Sequence, residues 1–216
     1  MKLCPITIKL QNWNYSNAYE EMITFIEKAA RICYRSEPSK DLHQSEAFLE
    51  KLIKKGHESV IEHVSLTVLC HVDRGTTHEL VRHRLASYSQ ESTRYCNYAN
   101  KDLEFLSPAY MIRRQDPNRE KEITLKYLEM LRQAEENYKE LIANGEPPEN
   151  ARQVLPNALM TRIIMTTNLR DWRHLLRLRT GPAAHPNIRT LANIILKTFQ
   201  AKFPVFFKDI ESPTNI

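Results

Sequence analysis

Glycine is nearly absent from this chain: Gly56, Gly75, Gly145 and Gly181 are the four among 216 residues, and none falls in a GxGxxG or GxxxxGK[ST] pattern. A phosphate bound here is therefore expected to be gripped by side chains rather than by a glycine-rich backbone cradle. Cysteine is equally sparse. Cys4, Cys33, Cys70 and Cys96 form no CxxC pair, and without a secretion signal free thiols are expected rather than a disulfide framework. No apolar run is long enough to span a bilayer, and the opening MKLCPITIKL has neither a long apolar core nor a small-residue cleavage site; both predict a cytoplasmic protein with no membrane partner. Low-complexity segments, internal repeats and Pro/Gly/Ser linkers are also missing, so residues 1–216 are expected to form a single domain.

What is present is ordinary for a globular chain, with 42% hydrophobic and 26% charged residues. The net charge of +5 suits either a nucleic acid or a small phosphorylated anion, and the placement of the arginines has to decide between them.

Ile6, Ile8 and Leu10 alternate as in a strand, and helical spacing follows over Ala18 to Tyr34 and over Ala47 to Lys55. Val64, Leu66, Val68, Cys70 and Val72 have the period of a half-buried strand. Thr76 to Glu79 reads as a capping box, with Thr76 as N-cap of a helix running from Glu79 to about Ala86. Ser87 to Tyr98 has neither period and reads as an ordered loop rich in hydrogen-bonding groups. A long helix is expected from Asp116-Pro117 through Leu125, Leu128, Leu131, Tyr138 and Leu141 to a stop at Gly145, then a short helix over Asn150 to Val154. Alternation over Leu159 to Thr167 predicts a strand, Asn168 caps a helix reaching Arg179, and a last helix spans roughly Asn187 to Lys202. The sum is an α/β (α+β) fold, a small mixed or antiparallel sheet with packed helices and a helical addition.

Arg82, His83 and Arg84 bring two permanent cations and an imidazole into one short segment. Alone, such a cluster is most simply a solvated basic face. Downstream, however, Ser87, Ser89, Gln90, Ser92 and Arg94 add hydroxyl, amide and guanidinium donors of the kind a phosphate or a pyrimidine edge requires.

The composite RHRLASYSQESTR resembles the RHRx7S signature of flavin-dependent thymidylate synthases, and the resemblance runs in ordered blocks from about Ala29 to Ile188. HESVIEH, residues 57–63, is similar to that family's HE[ST]xxEH element. The resemblance implies reductive methylation of dUMP to dTMP, with methylenetetrahydrofolate as carbon donor and a hydride from NADPH passed through non-covalent FAD. It further implies a homotetramer with active sites between subunits. His57, Ser59, Glu62, Arg82, His83, Arg84, Asn168, Arg170 and His174 are implied at the flavin. Glu79, Gln90, Ser92, Arg94, Arg152 and Arg179 are implied at dUMP, with Arg179 and Ser92 closest to the chemistry. The chain departs from the usual pattern in three places: Glu79 stands where Gln is frequent, Ser89-Gln90 where Asn-Glu is frequent, and His174 where Asn is frequent.

Ser92 has two readings, nucleophile or hydrogen-bond donor, and the donor is favoured because only His83 lies near it in sequence as a base. The two histidines and two glutamates of residues 57–63 could in principle serve a metal-dependent hydrolase, but they lack HExxH spacing, so no metal is expected. The alternative of another class is a single-strand nucleic-acid-binding domain, in which Tyr88, Tyr95 and Tyr98 would stack on bases beside basic residues.

Overall fold

The computed structural model describes residues 1–110 and 117–212; the expected helix start at Asp116 lies outside them. In chain order the elements are β1 (Lys2–Cys4), β2 (Thr7–Leu10), α1 (Ala18–Ile32), α2 (Leu42–Lys54), a 3-10 turn at Glu58–His63, β3 (Ser65–Asp73), α3 (Arg74–Leu80), β4 (Ser87–Gln90) and β5 (Glu104–Leu106). A 3-10 turn at Pro108–Tyr110, α4 (Pro117–Ala143), α5 (Pro148–Ala151) and a 3-10 turn at Arg152–Val154 follow. The chain continues as β6 (Met160–Asn168), α6 (Leu169–Arg179), α7 (Pro186–Lys202) and α8 (Pro204–Phe207). Four strands form a sheet in the order β2-β3-β6-β4, while β1 pairs in parallel with β5, Leu3 opposite Phe105. This is the mixed α/β fold that the alternating and helical stretches predict.

By contact density the chain divides into two compact units, each made of several segments. The first comprises Met1–Thr7, Cys70–Arg82 and Ser89–Ile163. Its core gathers Leu103, Phe105, Tyr127, Leu131, Tyr138, Ala151 and Leu159. The buried face of α4 is Tyr127, Leu131, Glu135 and Tyr138, a stripe at steps of three and four. Leu125, expected on that face, is 59% exposed; Tyr127 takes the inner position and donates its hydroxyl to the Leu106 carbonyl at 3.0 Å.

The second unit holds Ile8–Leu69, His83–Tyr88 and the residues from Ile164 onward. Trp172 of α6 is fully buried, meets Phe199 of α7 edge-on at 5.3 Å, and donates its indole N–H to the Leu66 carbonyl of β3 at 3.0 Å. Asn168 caps α6 as expected, accepting from the Asp171 amide at 2.9 Å.

Two expectations fail around the arginine segment. The N-cap of α3 is Asp73 rather than Thr76: the carboxylate accepts from the Thr76 amide at 2.9 Å and from its hydroxyl at 2.6 Å. A carboxylate at a helix N-terminus makes a charge-assisted bond that a threonine hydroxyl does not match. Gly75 accommodates this cap, since a Cβ there would stand 2.9 Å from Asp73 Oδ1. The helix thus starts three residues earlier than the expected cap implies and ends at Leu80, so Arg82, His83 and Arg84 lie in the turn beyond it, not on a helix. The second failure is Ser87–Gln90, a strand rather than loop. It lies at the edge of its sheet, where backbone pairing holds a strand without an apolar face.

Candidate active site

Within the first unit, the residues expected at the nucleotide cluster around the segment after β4. Gln90 donates from Nε2 to Thr77 Oγ1 at 3.0 Å, and the Arg94 amide donates to Ser92 Oγ at 3.2 Å. The Arg94 guanidinium stands 5.3 Å from the centre of the Tyr95 ring and donates from Nε to Glu149 at 2.8 Å. Glu149, in the first turn of α5, precedes Arg152 by three residues. Glu79 is half-buried near the end of α3, and Arg82 is exposed just past it. Thr77 and Glu149 were not foreseen; neither carries a local signal that marks it.

Within the second unit, the HESVIEH residues form the 3-10 turn at Glu58–His63, with His57 as its N-terminal flank. His57, Ser59 and His63 are exposed. The two acids face α6 instead: Glu58 accepts from Arg173 Nε at 3.0 Å and from Arg177 at 3.3 Å, and Glu62 accepts from Arg170. The spacing 170, 173 and 177 on α6 thus matches the pair 58 and 62. The spacing i, i+3 and i+7 shows an arginine face in the sequence but not the acids that meet it. The match also weakens two readings, because these carboxylates are engaged by guanidinium groups rather than offered to a metal, and these arginines are engaged by carboxylates rather than offered to a nucleic-acid backbone. Among the described residues no three His, Cys, Asp or Glu gather as metal ligands.

The same unit joins the arginine segment to the end of α6. Arg179 donates from Nε to His83 Nε2 at 2.9 Å, although 96 residues separate them. Tyr88 donates its hydroxyl to the His83 carbonyl at 2.9 Å, and Thr167 Oγ1 donates to the Leu85 carbonyl at 2.6 Å, fixing both sides of the bend. Arg84 and His174 are exposed, and the Asn168 side chain is occupied by its cap and by Asp171 at 2.9 Å. Because Nε2 of His83 accepts, its ring proton sits on Nδ1. Burial, with the nearby Arg179 and His174 charges, lowers His83 to about 4.

That shift has a measurable consequence. The unfolded chain takes up the proton near about pH 6.5, whereas the folded chain does so only near about 4. Stability contributed by the neutral ring is therefore complete above the unfolded value and is lost as pH falls toward the folded one. The urea midpoint difference between the native chain and His83→Asn is expected to be larger at pH 7.5 than at pH 5. Equal differences at both pH values would show that the ring is not held neutral.

A family model described as thymidylate synthase complementing protein matches residues 17–205. A flavin-dependent thymidylate synthase from Geobacter sulfurreducens is 35% identical over 188 residues, covering 84% of this chain and 78% of that one. The chain belongs to the flavin-dependent thymidylate synthase family. The synthase of that name from Mycobacterium tuberculosis is also 35% identical, over 88% of this chain and 80% of its own. The fold has a counterpart in the crystal structure of the UMP/dUMP methylase PolB from Streptomyces cacaoi bound with 5-Br dUMP, with a TM-score of 0.80 at 23% identity, covering 99% of this chain and 100% of that one. The family match embraces every residue named at the site, from His57 to Arg179.

Proposed function

We propose that this chain is an FAD-dependent methyltransferase that converts dUMP to dTMP, taking the carbon from methylenetetrahydrofolate and the hydride from NADPH. The observation that carries the reading is the bond between Arg179 and neutral His83, which joins the family's signature segment to the arginine expected at the pyrimidine.

The residues suit the cofactor. His57, Ser59 and Arg84 are exposed on one unit, and their imidazole, hydroxyl and guanidinium donors fit a pyrophosphate and sugar hydroxyls. Arg82, Glu62, Asn168, Arg170 and His174 complete the set expected there. FAD bound there would supply the hydride that the reductive methylation requires.

The chain's own side chains do the rest. Arg94 and Arg152 hold the dUMP phosphate, with Glu149 keeping the Arg94 fork oriented before substrate arrives. Gln90 and Glu79 line the nucleotide side. Arg179 meets the negative charge that develops on the pyrimidine carbonyls. His83 keeps that guanidinium in place by accepting from its Nε, and for the same reason is a poor base toward Ser92. Ser92 therefore donates a hydrogen bond to dUMP rather than attacking it.

Large apolar side chains stand exposed beside the motif segments, Leu85 at 81%, Tyr95 at 77% and Leu178 at 53%, which supports burial against another copy. The working assembly is a homotetramer in the cytoplasm with shared active sites. The test is direct. Purified protein should carry or take up FAD, show the flavin visible bands, and form dTMP only with dUMP, methylenetetrahydrofolate and NADPH together. A colourless protein that takes up no FAD would overturn the reading.

A further inference from the structure

The two arginines in the middle of the α6 face do more than bind one acid. Arg173 has no exposed side-chain surface, and its fork is filled: Nε donates to Glu58 at 3.0 Å, while the two terminal nitrogens donate to Asp209 at 2.7 and 2.6 Å. One of them also donates to the Phe206 carbonyl. Arg177, half exposed, reaches both Glu58 and Asp209 at 3.3 Å. Two guanidinium groups and two carboxylates thus form a charge-balanced cluster. It links α6, the segment after α8, and the turn that carries His57 and Ser59.

Glu58 lies between His57 and Ser59, and its side chain is mostly buried while theirs are exposed. Its carboxylate is therefore the anchor that decides where the two neighbouring side chains stand. The position of that carboxylate depends in turn on where the Arg173 fork is held, and Asp209 holds the other side of the fork in a bidentate pair. A buried guanidinium deprived of one carboxylate cannot stay where it is without a large desolvation cost, so it shifts toward the acid that remains.

We infer that Arg173 and Asp209 are positioning residues for the flavin site: through Glu58 they set the placement of His57 and Ser59, and so the affinity for FAD. The sequence motifs assign neither residue a role at the site. The inference rests on the reading that this turn faces FAD, and it assigns a function to a residue near the end of the described chain, far in sequence from the motifs.

The experiment measures FAD affinity by fluorescence quenching on the apoprotein, beside its thermal midpoint and its dUMP affinity. Asp209→Asn, which keeps size but removes charge, is expected to weaken FAD about tenfold while leaving the dUMP dissociation constant unchanged. Asp209→Glu, which keeps the carboxylate, should restore affinity to within about threefold of the native chain. Should Asp209→Asn fail to fold, Arg177→Gln decides instead, because it removes a half-exposed donor from the same two acids and leaves Arg173 in place; a rise of about threefold in the FAD dissociation constant is expected. A folded variant of either kind that keeps native FAD affinity while its thermal midpoint falls would overturn the inference and leave the cluster purely structural. Absence of FAD binding by the native chain is a different result: it overturns the proposed function itself, and the inference with it.

Discussion

Replacing Arg179 by alanine is expected to lower the turnover number for dTMP formation about a hundredfold, because a pre-placed guanidinium facing developing negative charge contributes on the order of 3 kcal/mol in a site with little water. The loss should appear in kcat and in kcat/KM alike, since the interaction strengthens as charge builds in the transition state. Arg179→Lys keeps a cation but loses the Nε that reaches His83, so it should fall between the two. Steady-state kinetics with dUMP as the varied substrate separates the cases. Normal turnover with only weaker dUMP binding in Arg179→Ala would remove Arg179 from the chemistry and leave it as a binding residue.

Trp172→Ala is the substitution expected to damage the fold most. The indole has no solvent exposure and packs edge-on against Phe199, which itself lies 4.9 Å from the Phe207 ring. Truncating a buried Trp costs about 3–5 kcal/mol through lost transfer energy and the cavity left behind. The Leu66 carbonyl also loses its indole donor, which adds about 1 kcal/mol. Domains are commonly stable by about 5–15 kcal/mol in all, so the variant should unfold at a much lower urea midpoint. Trp172→Phe restores most of the packing but not the hydrogen bond, and should recover the larger part of the loss. A midpoint within error of the native value for Trp172→Ala would mean that the second unit does not depend on this contact.

Much of the fold was legible because the elements that face a core obey one period each. Leu66, Val68, Cys70 and Val72 alternate in sequence and are all buried in β3, and Ile163 and Met165 do the same in β6. The failures arise where spacing alone does not choose among local alternatives. Asp73 outcompetes Thr76 at the helix start, and the buried stripe of α4 runs through Tyr127, Leu131, Glu135 and Tyr138, a phase that leaves Leu125 outside. The edge strand Ser87–Gln90 has no apolar face to announce it. At the site, residue identities and rough neighbourhoods were readable from motifs, whereas pairings across long sequence separations were not. Glu149 at Arg94, Asp209 at Arg173 and His83 at Arg179 lie 55, 36 and 96 residues apart, and only tertiary structure brings them together.

The ion pairs that fasten residues 58–63 to α6 differ in their access to water, and that gives the turn two unequal ends. Arg173 is wholly enclosed, whereas the Arg170 and Glu62 side chains are 51% and 42% exposed. Mobile ions screen the exposed pair far more than the enclosed one, over a distance of about 8 Å at physiological ionic strength. As salt rises, the pair between Glu62 and Arg170 weakens first while the pair between Glu58 and Arg173 holds. Burial of Ile61 and Val64 keeps the turn in place even so, and the ionic strength of the medium sets only how tightly the exposed pair is closed.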